Sequence, residues 1–216
     1  MKRIGLLSDT HSFLDERIKK HLKDCDEIWH AGDIGNINVT DELSKIAPLR
    51  AVYGNIDGAE LRSTFCKNQY FTIEGLNVFI THIGGRPPRF TPEVLSYLKA
   101  NNPNVFICGH SHILIAQFCK SFGGLHLNPG AAGIYGIHKV RTLMRFDISQ
   151  SGVANLEGPS AEGFLDEVFS IILPPRALLI NSCCSSALLS KKRSIRPLKP
   201  VFLSSPDTIS DMLLKR

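Results

Sequence analysis

Apolar residues in this chain come in short runs that stop at a polar or glycine-containing turn, and the spacing between runs changes with position. "RIGLLS" (3–8) reads as a buried strand ending at a polar turn. In "FLDERIKKHLKDC" (13–25), Leu14, Ile18 and Leu22 recur at every fourth position, which predicts an amphipathic helix with a charged outer face. "EIWHAGD" (27–33) and "LRAVYGN" (49–55) again predict strands running into glycine-containing loops. "VTDELSKIA" (39–47) predicts a helix between them, with Thr40 as its cap. A β-α-β-α-β order with short links predicts parallel strands joined by right-handed crossovers.

Further on, "YFTIEG" and "LNVFITH" predict a hairpin turning at Glu74-Gly75-Leu76, followed by a Gly-Pro-rich loop, "GGRPPRF". A helix is expected from Pro92 to Ala100, with proline in its first turn. "NVFICGH", "ILIAQF", "GLHLN" and "VRTLMRFDIS" continue as strands. A chain that begins α/β and ends strand-rich predicts an α/β fold, a four-layer α-β-β-α sandwich of two mixed sheets with helices outside. The domain is expected over 1–157. Residues 158–216 are rich in Ser, Pro and basic residues without a sustained period, which predicts a partly disordered extension with one short helix near 161–171.

At 216 residues, 43% of them hydrophobic, the chain suits one domain with an appendage. The net charge of +5 is misleading. Residues 171–216 hold eight of the 25 Lys and Arg and two of the 20 Asp and Glu, which leaves seventeen basic against eighteen acidic residues elsewhere. Charge therefore gives a nucleic-acid partner little support. Six cysteines without a C-x-x-C, four of them standing singly within predicted elements, read as reduced, small apolar residues of a cytoplasmic protein. The N-terminal apolar run is too short for a signal peptide, and no stretch reaches the ~20 apolar residues of a membrane helix, so no membrane partner is expected.

Chemistry enters through position. Asp9 and His11, Asp33, Asn55, His82, and His110 with His112 each stand just past the C-terminal end of a predicted strand, the edge where open α/β sheets bind ligands. Two Asp, one Asn and four His are all N or O donors, which favours manganese, iron, zinc, nickel or cobalt over magnesium, calcium or a thiolate site. Seven donors exceed what one ion with an open position needs. Two ions sharing a carboxylate would use them all.

The series "D-T-H", "G-D", "G-N", "T-H" and "G-H-S-H", in that order over residues 9–112, resembles the calcineurin-like metallophosphoesterase superfamily. "AVYGNID" followed by "THIGG" is similar to its small single-domain phosphodiesterase branch, which is related to the retromer subunit of the same fold; the resemblance runs to about residue 157 and includes "NPGAAG" (128–133). It implies two divalent transition metal ions, manganese first, with a hydroxide between them that attacks phosphorus. By resemblance, Asp9, His11 and His112 hold the first ion, Asn55, His82 and His110 the second, and Asp33 bridges. Asp33, Asn55 and His82 thereby belong to the catalytic set. One departure stands out: many members read G-N-H-E or G-N-H-D, and their histidine, the usual leaving-group acid, is Ile56 here. Asp57 is left for a supporting or acid role, and esters with good leaving groups are favoured.

The other polar residues have plainer readings. His30 is expected to be structural or to support a ligand rather than to be one; His21, His126 and His138 are expected at the surface or in the core, and Trp29 in the core. Arg86 and Arg89 either reach substrate phosphate or stand in a solvated loop, and Lys191, Lys192 and Arg193 read as a solvated run. The implied function is hydrolysis of small or nucleotide-like phosphodiesters, with a non-catalytic binding scaffold of the same fold as the alternative. Self-association into a homo-oligomer is compatible with either.

Overall fold

Three strands set the frame of the computed structural model, which describes residues 1–158 and the backbone of 167–169. β1 (Lys2–Leu7), β2 (Glu27–His30) and β3 (Leu49–Ala51) run parallel, with Leu6 opposite Trp29 and Ile28 opposite Leu49. The links carry α1 (Glu16–Leu22) and α2 (Ile37–Ser44), as the β-α-β-α-β pattern predicts. Asp15 caps α1, its carboxylate accepting from the Ile18 N–H. Asn36, not Thr40, caps α2: extended at φ −148°, its side chain accepts from Asn38 N–H at 2.7 Å. Thr40 lies one turn inside the helix and donates to Ile37 O instead. The polar residue that precedes the helix satisfies its free N–H groups, and one within it has none left to serve.

A short α3 (Ala59–Thr64), which the apolar pattern did not foretell, precedes β4 (Asn68–Ile73) and β5 (Leu76–Thr81). Glu74 and Gly75, at φ 48° and 78°, form the two-residue turn of this hairpin, where both central residues must be left-handed. The Gly-Pro-rich loop holds a small ribbon, β6 (Gly85–Arg86) with β7 (Arg89–Phe90), before α4 (Pro92–Asn101), whose Thr91 accepts from Val94 N–H. β8 (Val105–Ile107), β9 (Leu114–Cys119), β10 (Gly124–Pro129), β11 (Met144–Ser149), β12 (Gly152–Gly158) and β13 (Glu167–Phe169) complete the described chain. The helix expected over 161–171 is corrected in part: Glu167–Phe169 is extended and pairs with β12, because an open strand edge there supplies its backbone partners. The remainder of 158–216, apart from Gly158, lies outside the described residues.

Two mixed sheets result, ordered β13-β12-β11-β1-β2-β3 and β4-β5-β8-β10-β9. Alternation along each strand divides the side chains between two environments. Ile4, Leu6 and Trp29 of one sheet meet Val78, Ile80, Val105, Ile107, Leu125 and Leu127 of the other. On the outer faces, Leu7 and Ile28 pack against Ile18, Leu22 and Leu43, while Phe79 and Phe106 pack against Val94 and Leu98 of α4. This is the four-layer α-β-β-α sandwich that the pattern predicts. Phe106 is fully buried and stacked on Phe79 and His126, so Phe106→Ala would cost roughly 3–5 kcal/mol. Among the described residues no helix is long and apolar enough to cross a membrane.

The functional consequence is directional. β1, β2 and β3 are parallel to one another, and β5 and β8 are parallel in the second sheet, so two sets of strand ends are available to carry one centre.

Candidate metal centre

Pairing between β1 and β2 continues past the strands into their loops. Asp9 N–H donates to Gly32 O at 2.9 Å, His11 N–H to Asp33 O at 3.0 Å and Ser12 N–H to Ile34 O at 2.8 Å. Between them, buried Thr10 donates to Ile34 O and meets His30 Nε2 at 2.9 Å. His30 Nδ1 accepts from Gly32 N–H, so its proton sits on Nε2; burial pushes its pKa down to about 4 and keeps it neutral. His30 is therefore structural, as expected.

In these paired loops Asp9, His11 and Asp33 sit at φ 55°, 47° and 54°, and on the second sheet's loop His110 and His112 sit at 67° and 56°. Five of the seven residues singled out in the sequence thus occupy the left-handed region, which non-glycine residues adopt at a cost of order 1–3 kcal/mol each where their surroundings dictate it. The strain turns their side chains toward common points. Asp9, His11 and His112 bring one ligand atom each within 4.8 Å of one another, and so do Asp33, His82 and His110.

The two sheets are tied together here. His110 N–H donates to Asp9 Oδ2 at 3.1 Å, and His82 Nδ1 donates to Ala31 O at 2.8 Å, which leaves His82 Nε2 as the free donor atom. His82 Nε2 lies 3.2 Å from Asp33 Oδ1 and 3.1 Å from Asn55 Oδ1. Asp33 Oδ2 faces the other way, 3.8 Å from His11 Nε2, and Asp9 Oδ1 lies 3.2 Å from His112 Nε2.

Electrostatics follow from this crowding. Burial opposes ionisation of Asp33, but its bond to His82, the Ile56 N–H and nearby His11 hold its carboxyl below the ordinary range. Burial likewise opposes charge on His82, while the bond to Asp33 and the charge of Asp9 raise it. The Asp9 carboxylate, 3.2 Å from His112 Nε2, raises His112. Asp9 Oδ1 and His11 Nε2 are buried and make no hydrogen bond, an arrangement that costs about 1–3 kcal/mol per atom if nothing answers it. A divalent cation would answer both at once, and an all-N/O donor set suits borderline transition ions.

Supporting residues fix these donors. Asp57, 3% exposed, accepts from Gly35 N–H and Gly54 N–H, each at 2.7 Å, and so ties the loop of Asp33 to the loop of Asn55. Both its oxygens are engaged. His138, expected only as a surface or core residue, meets His112 Nδ1 with its own Nδ1 at 3.2 Å and places Nε2 3.0 Å from Gly133 O. Since a carbonyl can only accept, neutral His138 carries its proton on Nε2 and accepts at Nδ1. His112 must then donate from Nδ1, leaving Nε2 for the centre. Neither a motif nor a strand end marks His138; its place after "GIYGI" gave no signal.

The other expectations divide. Trp29 and His126 are fully buried, and Cys25, Cys108 and Cys119 are buried free thiols, whereas Cys66, in an isolated bridge to Val52, is exposed. Arg86 and Arg89 stand exposed on the β6–β7 ribbon, and neither forms an ion pair with a described carboxylate. Lys191, Lys192 and Arg193 lie outside the described residues.

A four-layer sandwich presenting paired N/O donor groups at its strand ends has the layout of a metal-binding α/β scaffold. Residues 1–151 match the calcineurin-like phosphoesterase superfamily domain, and the chain belongs to that family. A probable metallophosphoesterase of Methanothermobacter thermautotrophicus is 34% identical over 137 residues, covering 59% of this chain and 76% of the relative. Among solved structures, an archaeal phosphodiesterase matches with a TM-score of 0.58 at 25% identity, over 70% of this chain and 96% of its own. The Zn²⁺ complex of Vps29 from Entamoeba histolytica matches with a TM-score of 0.62 at 18% identity, over 78% of this chain and 98% of its own, a likeness of fold.

Proposed function

We propose that the protein hydrolyses small or nucleotide-like phosphodiesters at a centre of two divalent transition ions, manganese first among them. The observation that supports this reading is Asp33, whose two carboxylate oxygens face the two donor groups separately. Asp9, His11 and His112 would hold one ion, and Asn55, His82 and His110 the other, with Asp33 shared. Two such ions, when bound, lower the pKa of a shared water toward neutrality and neutralise the oxygens of a phosphoryl group undergoing in-line displacement.

The chain's own part is placement. Ala31 O fixes the tautomer of His82, His138 fixes that of His112, and Asp57 keeps Asp33 and Asn55 at constant separation. Occupation of both Asp57 oxygens by backbone N–H groups supports a positioning role rather than proton donation. Ile56, half exposed beside Asn55, offers no proton to a leaving group, which favours esters whose leaving group departs as an anion. The four cysteines among the described residues are free, which accords with a reducing, cytoplasmic setting.

Hydrolysis of a chromogenic phosphodiester with added Mn²⁺ tests the reading: the wild type is expected to be active, and Asp33→Ala and His110→Ala at least about a hundredfold slower. Equal rates in all three end it. The non-catalytic scaffold of the same fold predicts a purified protein without bound transition metal, and the complete donor set weighs against it.

A further inference from the structure

Among the described residues, several exposed apolar side chains stand beside the donors. Ile56, Ile83 and Ile113 are 46%, 44% and 47% exposed, and each directly follows a donor of the centre: Asn55, His82 and His112. Consecutive Cα atoms lie ~3.8 Å apart, so these side chains begin beside the donors themselves. The Ile56 N–H reaches Asp33 Oδ1 at 3.1 Å. On a fourth side, Tyr135, 62% exposed, sets its ring 6.4 Å from that of His11. The loop bearing it is anchored to the centre through His138 and His112, with Ile134 and Ile137 also exposed. No chain neighbour of the seven donors is charged.

We infer that Ile56, Ile83, Ile113 and Tyr135 form a subsite for an apolar, aryl-type ester group of the substrate, so that the preferred diester carries one phosphate and a flat or aliphatic substituent. The inference rests on the phosphodiesterase reading of the same centre. A phosphorus atom held by the donors must extend its ester groups outward past these four side chains. Isoleucine walls and one aromatic ring gain nothing from a second phosphate or a hydroxyl-rich group, whereas an apolar substituent removes their exposed surface from water. Exposed apolar side chains beside a polar centre are what a binding site for an apolar ligand group requires. The missing acid at Ile56 points the same way, since aryl oxides leave without protonation.

Calorimetry in Mn²⁺ with diphenyl phosphate and dimethyl phosphate tests the subsite by affinity. The wild type is expected to bind the diphenyl ester at least about tenfold more tightly, and Tyr135→Ser and Ile83→Ser to lose most of that ratio. Equal affinities in the wild type, or no binding of the diphenyl ester, overturn the subsite. A parallel comparison of phenyl and methyl 4-nitrophenyl phosphates, which share a leaving group, should show the same preference in kcat/KM. Absence of hydrolysis of both esters, with the binding ratio intact, strikes the phosphodiesterase reading and leaves the subsite standing.

Discussion

Asp33 lies between His82 and His11, with Oδ1 3.2 Å from His82 Nε2 and Oδ2 3.8 Å from His11 Nε2. One carboxylate thereby faces both donor groups, with a separate oxygen toward a histidine of each. Removing it should cost more metal than removing any histidine. In equilibrium dialysis with Mn²⁺ followed by elemental analysis, the wild type is expected to hold about two ions per chain, His110→Ala and His112→Ala about one each, and Asp33→Ala less than one. Two ions retained by Asp33→Ala would remove its bridging role.

His138 tests the tautomer argument. Its Nδ1 accepts a hydrogen bond from His112 Nδ1–H, which keeps that proton off the nitrogen facing the centre. His138→Leu should weaken Mn²⁺ binding by about 10–100-fold, while His138→Gln, whose amide oxygen can accept the same proton, should recover much of it. An unchanged dissociation constant in the leucine variant would show that His138 only fills space.

Two motif glycines are predicted to be intolerant for steric reasons. A Cβ on Gly54 would overlap the Asp33 carboxylate, and one on Gly32 would lie 2.6 Å from His82 Nδ1, at a backbone φ of +94° that side chains rarely adopt. Gly54→Ala and Gly32→Ala are each expected to lower stability by about 1–3 kcal/mol in urea titration and to weaken metal binding with it. Wild-type stability in either would contradict the close approach.

Asp57 separates positioning from acid catalysis. Asp57→Ala deletes two backbone hydrogen bonds to a buried carboxylate and should destabilise by roughly 2–5 kcal/mol while loosening metal binding. The pH dependence of kcat should keep its shape in Asp57→Asn. Loss of one limb of that profile, with metal affinity intact, would make Asp57 the acid.

Two buried histidines set the acid sensitivity of the metal-free fold. Burial pushes His30 and His126 down to about 4, below their ordinary 6.5, so between these values the unfolded chain binds protons that the folded one refuses. Stability is then fully present above pH 6.5 and is lost as pH falls, by an amount on the order of a few kcal/mol for the pair. His82 and His112, raised by Asp33 and Asp9, titrate above this window, and Asp33, lowered, below it. Urea midpoints measured with chelator should fall between pH 7 and 5; a flat profile would place these imidazoles in contact with water.

Much of the centre was legible because donor position and strand end coincide in the sequence. Each of Asp9, Asp33, Asn55, His82 and His110 follows an apolar run by a few residues, and those runs became β1, β2, β3, β5 and β8. Asn36 was not legible as the α2 cap, because "GNIN" and "VTDE" offer equally good capping residues and only the backbone chooses between them. His138 lay hidden for a different reason: its partner His112 is 26 residues away, across a loop with no period to read.

By itself the sequence determined which residues are apolar at strand or helix spacing, hence two sheets with helices outside, and which polar residues terminate the strands. Those are local facts, set by periodicity and turn chemistry within a few residues. The division of the donors was implied by the motif resemblance, and Asp9, His11 and His112 do gather apart from Asp33, His82 and His110; tertiary structure alone decided that the two Asp33 oxygens point apart and that Ile56, Ile83, Ile113 and Tyr135 all stay exposed. These depend on left-handed backbone turns and on contact between loops of two different sheets. Such long-range geometry is fixed when the sheets pack, not by any neighbour along the chain.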